Sequence, residues 1–285
     1  MRLGIHDYYY DTDWELTPRQ RYKIYKEAGF SCVDFNTSRT EMRFYTDPEE
    51  QMTRQMAEIR KELEGEGLSV HQIHGPWCWP PLKDETPEGR VLRAEEMKRS
   101  MRMAKLLGAS NWVVHPIMPH RLRDLPEGNA SSTWALNVEF MGWLLDYAKQ
   151  VDVTICLENM PHRNFSMAKP EKVLQLVKEL NDPHFQVCLD TGHVATQEGL
   201  DLEQQVRMLG KHLQVLHVHD NNGEKDQHQW PGKGILNWES FTQALKDIGF
   251  DGVFSLETGP ADGVPEAQFR QEAKELAQIA RDYII

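Results

Sequence analysis

The sequence predicts an α/β fold, a (β/α)8 barrel formed by one domain over residues 1–285. Three observations favour it: short apolar runs alternate with helix-like segments eight times, glycine follows several helices, and polar residues stand where the apolar runs end. Alternating strands and helices are typical of parallel sheets, and a closed barrel of about 250 residues usually forms one domain. The runner-up is a doubly wound open sheet, which needs a glycine-rich phosphate loop that the sequence lacks.

Each predicted strand is a short, β-prone and mostly apolar run, as expected for strands buried on both faces of a parallel sheet. These runs cover residues 2–6, 31–36, 69–74, 111–115, 153–158, 185–189, 213–219 and 252–257. The predicted helices between them cover residues 18–28, 48–64, 89–107, 133–150, 169–180, 202–209, 238–248 and 266–283.

The helix ends carry local signals. Thr17 and Pro18 suit the N-cap and first turn of the first helix, and Gly29 suits its left-handed end. The same order of helix, glycine and apolar run recurs in EAGFSCVDF, KLLGASNWVV and DIGFDGVFSLE. This weak internal repeat favours eight successive strand–helix units.

Two predicted connections, residues 77–88 and 116–132, are longer than a simple turn and are therefore candidate functional loops. Trp77, Trp79 and Trp112 lie in or beside the first of these loops and the fourth strand. They could stack on a sugar face or pack in the core, and the sequence leaves both options open.

Composition limits the classes of partner. The net charge is −12 with no dense Lys/Arg block, which disfavours a nucleic-acid ligand because phosphate binding usually needs a basic surface. No apolar run approaches the length of a membrane span, and the N-terminus has no signal-peptide core, so we expect a cytoplasmic protein. The four cysteines at 32, 78, 156 and 188 form no CxxC pair, and buried thiols are expected.

Imidazole and carboxylate residues follow the predicted strands from the third to the eighth. They are His74, His115, Glu158, Asp190, His193, His217, Asp226, His228 and Glu257. Each alone could be a hydrogen-bonded residue at a strand end, and Asp190 could simply cap a helix. Because all strand ends of a barrel meet at one rim, the joint pattern favours a metal site, and mixed His/Asp/Glu ligands suit zinc, manganese or iron. His219 and Asp220 are interpreted as supporting or structural residues.

The chain resembles the xylose isomerase-like TIM barrels, which include endonuclease IV and sugar isomerases and epimerases. The resemblance covers nearly the whole chain and rests on CLEN, CLDTGH, HVHD and SLET. It implies that Glu158, Asp190, His217 and Glu257 form the family's shared metal-binding quartet. It also implies that His193 is the family's additional histidine, three residues after the aspartate.

The fuller set of nine resembles endonuclease IV, in which three metal ions are held. His74, His115 and the Asp226–His228 pair stand where that enzyme has extra ligands, and DQHQWPGKG matches its spacing. Loops that would insert into DNA are not recognisable. Compared with the ketose 3-epimerases, Gly223 replaces an expected arginine and Asn164 replaces an expected glutamate, so a free ketose is not implied as the substrate.

The leading hypothesis is a metal-dependent isomerase or epimerase of a sugar or sugar derivative. Glu158 and Glu257 would act as acid and base at a carbon next to a metal-polarised carbonyl, and His193 would orient or protonate oxygen. The alternative is an endonuclease IV-like phosphodiesterase, and a third class is a metal-stabilised binding barrel. The expected cofactor is zinc or manganese, with one ion favouring the isomerase and three the phosphodiesterase. The oligomeric state stays open, a homodimer being one option.

Overall fold

Eight parallel strands with surrounding helices make up the fold in a computed structural model, which describes residues 1–7, 16–76, 87–117, 130–261 and 263–284. The strands are β1 (Arg2–Asp7), β2 (Cys32–Asn36), β3 (Ser69–His74), β4 (Asn111–Val114), β5 (Thr154–Glu158), β6 (Phe185–Asp190), β7 (Leu213–His217) and β8 (Val253–Leu256). The helices are α1 (Pro18–Ala28), α2 (Arg43–Thr46), α3 (Glu49–Gly65), α4 (Pro87–Leu107), α5 (Ala130–Val151), α6 (Pro170–Leu180), α7 (Thr191–Thr196), α8 (Leu202–Leu209), α9 (Trp238–Asp247) and α10 (Glu266–Ile284).

The sheet curls into a nearly closed barrel. Neighbouring strands pair in parallel in the order β7-β6-β5-β4-β3-β2-β1-β8. The remaining gap between β7 and β8 is bridged at Val218, whose N–H donates to the Ser255 carbonyl at 2.8 Å and whose carbonyl accepts the Glu257 N–H at 3.0 Å. The predicted barrel is therefore confirmed, and the open-sheet alternative is wrong.

Helix α1 shows why the local signals predict the fold well. Thr17 caps it with a reciprocal capping box, in which the Thr17 N–H donates to Gln20 Oε1 at 2.9 Å. Gly29 ends it with a φ of 103°, a conformation that favours glycine.

Among the described residues, no helix combines the length and the hydropathy needed to cross a bilayer.

An apolar layer inside the barrel lies directly beneath the polar rim. Val113, Cys156, Cys188 and Val215 form a buried cluster of their own, one on each of four successive strands. Because residues two apart on a strand share a face, this layer lies one step below His115, Glu158, Asp190 and His217. The predicted rim residues therefore pack on an apolar layer that excludes water from the barrel interior.

The structure resolves the predictions for the cysteines and for one tryptophan. Cys32, Cys156 and Cys188 are buried free thiols as predicted, while Cys78 lies outside the described residues. Trp112 is fully buried and donates from Nε1 to Ser100 Oγ at 2.8 Å, so it is a packing residue and the sugar-stacking option is wrong for it. Trp77 and Trp79 lie outside the described residues.

Three local features differ from the sequence prediction. The short helices α2 and α7 were not expected, and β7 ends at His217 rather than at residue 219. A helix of four or six residues is too short to show helical periodicity. β7 stops early because Val218 leaves the β6 ladder to bridge to β8.

Candidate metal centre at the carboxyl end of the barrel

Four side chains from neighbouring strands meet at the carboxyl end of the barrel. Asp190 and His217 are register partners on β6 and β7, and Glu158 and Glu257 end or follow β5 and β8. His217 Nδ1 lies 2.9 Å from Glu158 Oε1 and 3.5 Å from Glu257 Oε2. One ligand atom from each of the four residues lies within 4.8 Å of the others, and all four are buried. We call Glu158, Asp190, His217 and Glu257 the quartet.

Two oxygens of the quartet have no hydrogen-bond donor in the described part of the chain. They are Glu158 Oε2 and Glu257 Oε2, and both are buried. The ring nitrogens nearest to Glu158 Oε2 are His115 Nε2 at 3.3 Å and His74 Nε2 at 3.4 Å. A buried carboxylate oxygen without a donor is unfavourable unless a cation or a proton compensates it. The quartet therefore fits a bound divalent cation.

Three of the histidines predicted as ligands share one contact, a short distance from ring Nδ1 to a backbone carbonyl. The pairs are His74 with Gly75 at 2.8 Å, His193 with Asn159 at 2.7 Å and His228 with Glu257 at 2.7 Å. Because a carbonyl only accepts, Nδ1 carries the proton in each ring, and in the neutral ring Nε2 keeps its lone pair. Metal-binding histidines are commonly oriented in this way.

A second group of ligand atoms adjoins the quartet through Asp190. His193 Nε2 lies 3.1 Å from Asp226 Oδ2, and His219 Nε2 lies 3.0 Å from Asp190 Oδ2. His228 Nε2 lies 3.4 Å from Asp226 Oδ2. We call His193, His219, Asp226 and His228 the outer cluster, because the side chains of Asp226 and His228 are 29% and 36% exposed. It forms two further sets of three mutually close ligand atoms, one of which includes Asp190.

The backbone of His228 is held in an unusual conformation. Its φ is 48°, in the left-handed region that few non-glycine residues adopt. Its carbonyl accepts from Thr258 Oγ1 at 2.6 Å, while Gln229 and Asp220 exchange two backbone hydrogen bonds of 2.8 Å. Strained residues held this way are concentrated at functional sites. In this conformation His228 Nε2 lies 3.4 Å from Asp226 Oδ2.

His219 and Asp220 are neighbours in sequence with different surroundings. The buried Asp220 carboxylate accepts from the Gly232 N–H at 3.0 Å and from Trp238 Nε1 at 2.8 Å, so it anchors the loop that carries Asp226. The His219 ring instead lies over Gly192, where a Cβ atom would come within 2.0 Å of its Cε1. His219 is thus a candidate ligand that the sequence interpretation missed.

The pKa values of the two glutamates in the quartet shift in opposite directions. Burial raises the pKa of Glu257 well above its ordinary value, and the negative charges of Glu158 and Asp190 act in the same direction. Burial also acts to raise the pKa of Glu158, but His217, His115 and His74 outweigh it and hold that pKa well below its ordinary value. Without a metal ion, protons supply the positive charge that these carboxylates require.

In the outer cluster, too, neighbouring charges outweigh the effect of burial on the pKa. Burial acts to lower the pKa of His193 and His228, but nearby carboxylates outweigh it and raise the pKa of each to about 10. Asp190 and Asp226 dominate for His193, and Asp226 and Glu257 for His228. A metal ion bound at Nε2 of His193 or His228 would displace the proton from that nitrogen.

All nine residues predicted for the site lie at this end of the barrel. His115 follows β4, contacts Glu158 and packs edge-on against the His74 ring with centroids 4.9 Å apart. Besides His219, the structure adds residues that sequence reasoning missed: His6, Asp34, Asn36 and Asn159, all buried at the same rim. Asn159 joins β5 to β6, because its side chain both donates to and accepts from the Asp190 backbone.

Comparison with known proteins places these observations in a family. The family model described as "Xylose isomerase-like TIM barrel" matches residues 22–279. The D-psicose 3-epimerase of Ruminiclostridium cellulolyticum is 24% identical over 263 residues, which cover 90% of this chain and 83% of that protein. A structure of D-psicose 3-epimerase in the presence of D-fructose superposes with a TM-score of 0.80 at 18% identity, covering 100% and 99% of the two chains. A structure of the IOLI protein with a bound zinc atom gives 0.74 at 18% identity, covering 99% and 96%.

Proposed function

Because the chain belongs to the xylose isomerase-like TIM barrel family, we propose that it is a metal-dependent isomerase or epimerase of a sugar or sugar derivative. The observation that carries the proposal is the quartet, with buried Glu158 and Glu257 oxygens that lack donors. The similarity to a D-psicose 3-epimerase supports the reaction class.

Glu158, Asp190, His217 and Glu257 would hold the ion that the reaction needs. A divalent ion bound there would polarise the carbonyl and the neighbouring hydroxyl of the substrate. This would make the C–H bond of the hydroxyl-bearing carbon more acidic. Zinc suits this mixture of imidazole and carboxylate ligands, and a relative of the same fold binds zinc; manganese is the alternative.

The chain's own residues would move the proton. Glu158 Oε1 and Glu257 Oε2 lie 2.9 Å and 3.5 Å from His217 Nδ1, and each carboxylate can accept a proton from carbon or return one. His193 is positioned by its Nδ1–H bond to the Asn159 carbonyl, so its Nε2 can donate to a substrate oxygen when protonated. Isomerisation and epimerisation would then differ in where the proton returns.

The outer cluster favours a second candidate function, an endonuclease IV-like phosphodiesterase with three ions. Its four side chains provide ligand atoms beyond those that one ion in the quartet needs. The net charge of −12 opposes binding of a polyanionic duplex, and this repulsion is strongest at low salt. We therefore rank the isomerase or epimerase first, with a small sugar-like partner.

Deuterium exchange tests this ranking. The zinc- or manganese-loaded protein is incubated in deuterated water with a panel of ketoses, inososes and keto-glycosides, and separately with an abasic-site duplex. We expect metal-dependent deuterium incorporation next to a carbonyl and no strand cleavage. Efficient cleavage that is lost in His228→Ala, with no deuterium in any sugar, would reverse the ranking. Metal analysis of the same samples counts the ions per chain.

A further inference from the structure

We propose that Asp34 is a positioning residue that determines which nitrogen of His217 faces the metal site. Asp34 lies on β2, is buried and was not among the residues expected from sequence. Its Oδ2 lies 2.9 Å from His217 Nε2, a contact between residues 183 positions apart that crosses the barrel interior. This inference rests on the proposed function, in which His217 is a metal ligand. Its test measures metal affinity and does not depend on turnover.

The two nitrogens of His217 face opposite partners. Nε2 points to Asp34, and Nδ1 points to Glu158 at 2.9 Å and Glu257 at 3.5 Å. A carboxylate only accepts hydrogen bonds, so without a cation each ring nitrogen donates to its carboxylate, Nε2 to Asp34 and Nδ1 to Glu158. A cation at the quartet would replace the Nδ1 proton, and Asp34 would keep the other proton on Nε2, which leaves the Nδ1 lone pair for the cation.

Asp34 is itself held by donors from two neighbouring strands. Gln72 Nε2 on β3 donates to its Oδ2 at 3.0 Å, and His6, its register partner on β1, places Nδ1 at 3.5 Å. The His6 ring is oriented in turn by Asn36, which accepts the Ser38 N–H on Oδ1 at 2.8 Å and so presents its NH2 group to His6 Nε2 at 2.9 Å. Nδ1 of His6 then carries a proton directed at Asp34.

These contacts give Asp34 a role beyond packing, which is to hold the His217 ring in one tautomer. A carboxylate behind a metal-bound imidazole fixes its tautomer and raises its basicity toward the ion. An asparagine at position 34 could turn its NH2 group toward Nε2 of His217. That contact would favour a proton on Nδ1 and block the lone pair that faces the quartet.

The test is metal affinity in Asp34→Asn, measured for zinc and manganese by competition with a chromophoric chelator. We expect the affinity to fall about 10–100-fold, the usual effect of removing such a partner. The matched control is Asp251→Asn, the same change at an exposed aspartate that precedes β8 at the opposite end of the barrel, and it should bind metal as the wild type does. Unchanged affinity in Asp34→Asn, or an equal loss in Asp251→Asn, would overturn the inference.

If Asp34→Asn does not fold, the wild-type protein carries the test. In the zinc-loaded protein with ¹⁵N-labelled histidine, the His217 resonances should show a metal-bound Nδ1 and a protonated Nε2. A proton on Nδ1 would refute the inference. A protein that binds zinc in the expected way but exchanges no sugar proton would refute the proposed reaction and leave the role of Asp34 intact.

Discussion

Replacing Glu158 by glutamine is expected to lower both the metal content and the activity while the barrel stays folded. Glu158 Oε1 contacts His217 and its Oε2 has no donor, so its charge serves the ion rather than the fold. β5 is held by the buried Ile155, Cys156 and Leu157, which the change does not alter. We expect less than one equivalent of metal after gel filtration and a loss of about 10²–10⁴-fold in sugar proton exchange.

The matched control for this variant is Glu171→Gln. Glu171 is an exposed glutamate in the first turn of α6 and belongs to neither the quartet nor the outer cluster, so this change should leave metal content and exchange rate at the wild-type level. Circular dichroism and thermal melting of both variants check the fold. Full metal occupancy in Glu158→Gln would show that Glu158 is not a ligand.

Glu257→Gln should have a comparable effect on turnover through a different step. Glu257 is expected to exchange a proton with the substrate carbon, and an amide cannot do this. At a metal concentration that saturates the variant, we expect sugar proton exchange to stay about 10²–10⁴-fold below the wild-type rate. Glu257→Asp keeps a carboxylate that is one methylene shorter and should recover part of the rate. Wild-type exchange in metal-saturated Glu257→Gln would remove Glu257 from the proton transfer.

The sequence predicted the barrel well because each strand, helix end and glycine stop is encoded locally. Asp190 illustrates that capping a helix does not exclude a place in the candidate site: it caps α7 by accepting the His193 N–H at 2.6 Å, and its other oxygen lies 3.0 Å from His219 Nε2. His219 could have been found, since it stands two residues after His217 and alternation places both on one face.

The partners of His217 were harder to predict. The rule that located the rim residues, an apolar run ending in His, Asp or Glu, also fits His6 at the end of the predicted first strand, whereas Asp34 stands inside the second strand. What the sequence cannot give is the contact of Asp34 with His217, because nothing local links residues of β2 and β7. The orientation of each imidazole depends on single carbonyls such as those of Gly75 and Asn159, which only the folded structure positions.

Anomalous scattering from a crystal of the metal-loaded protein tests the central claim, that the quartet holds a divalent ion, most directly. Data collected on both sides of the zinc or manganese edge should give an anomalous peak enclosed by Glu158, Asp190, His217 and Glu257. For zinc, the ligand distances should be about 2.0–2.2 Å, with Nδ1 as the His217 ligand. A crystal of catalytically active, metal-loaded protein with no peak at the quartet would contradict the claim.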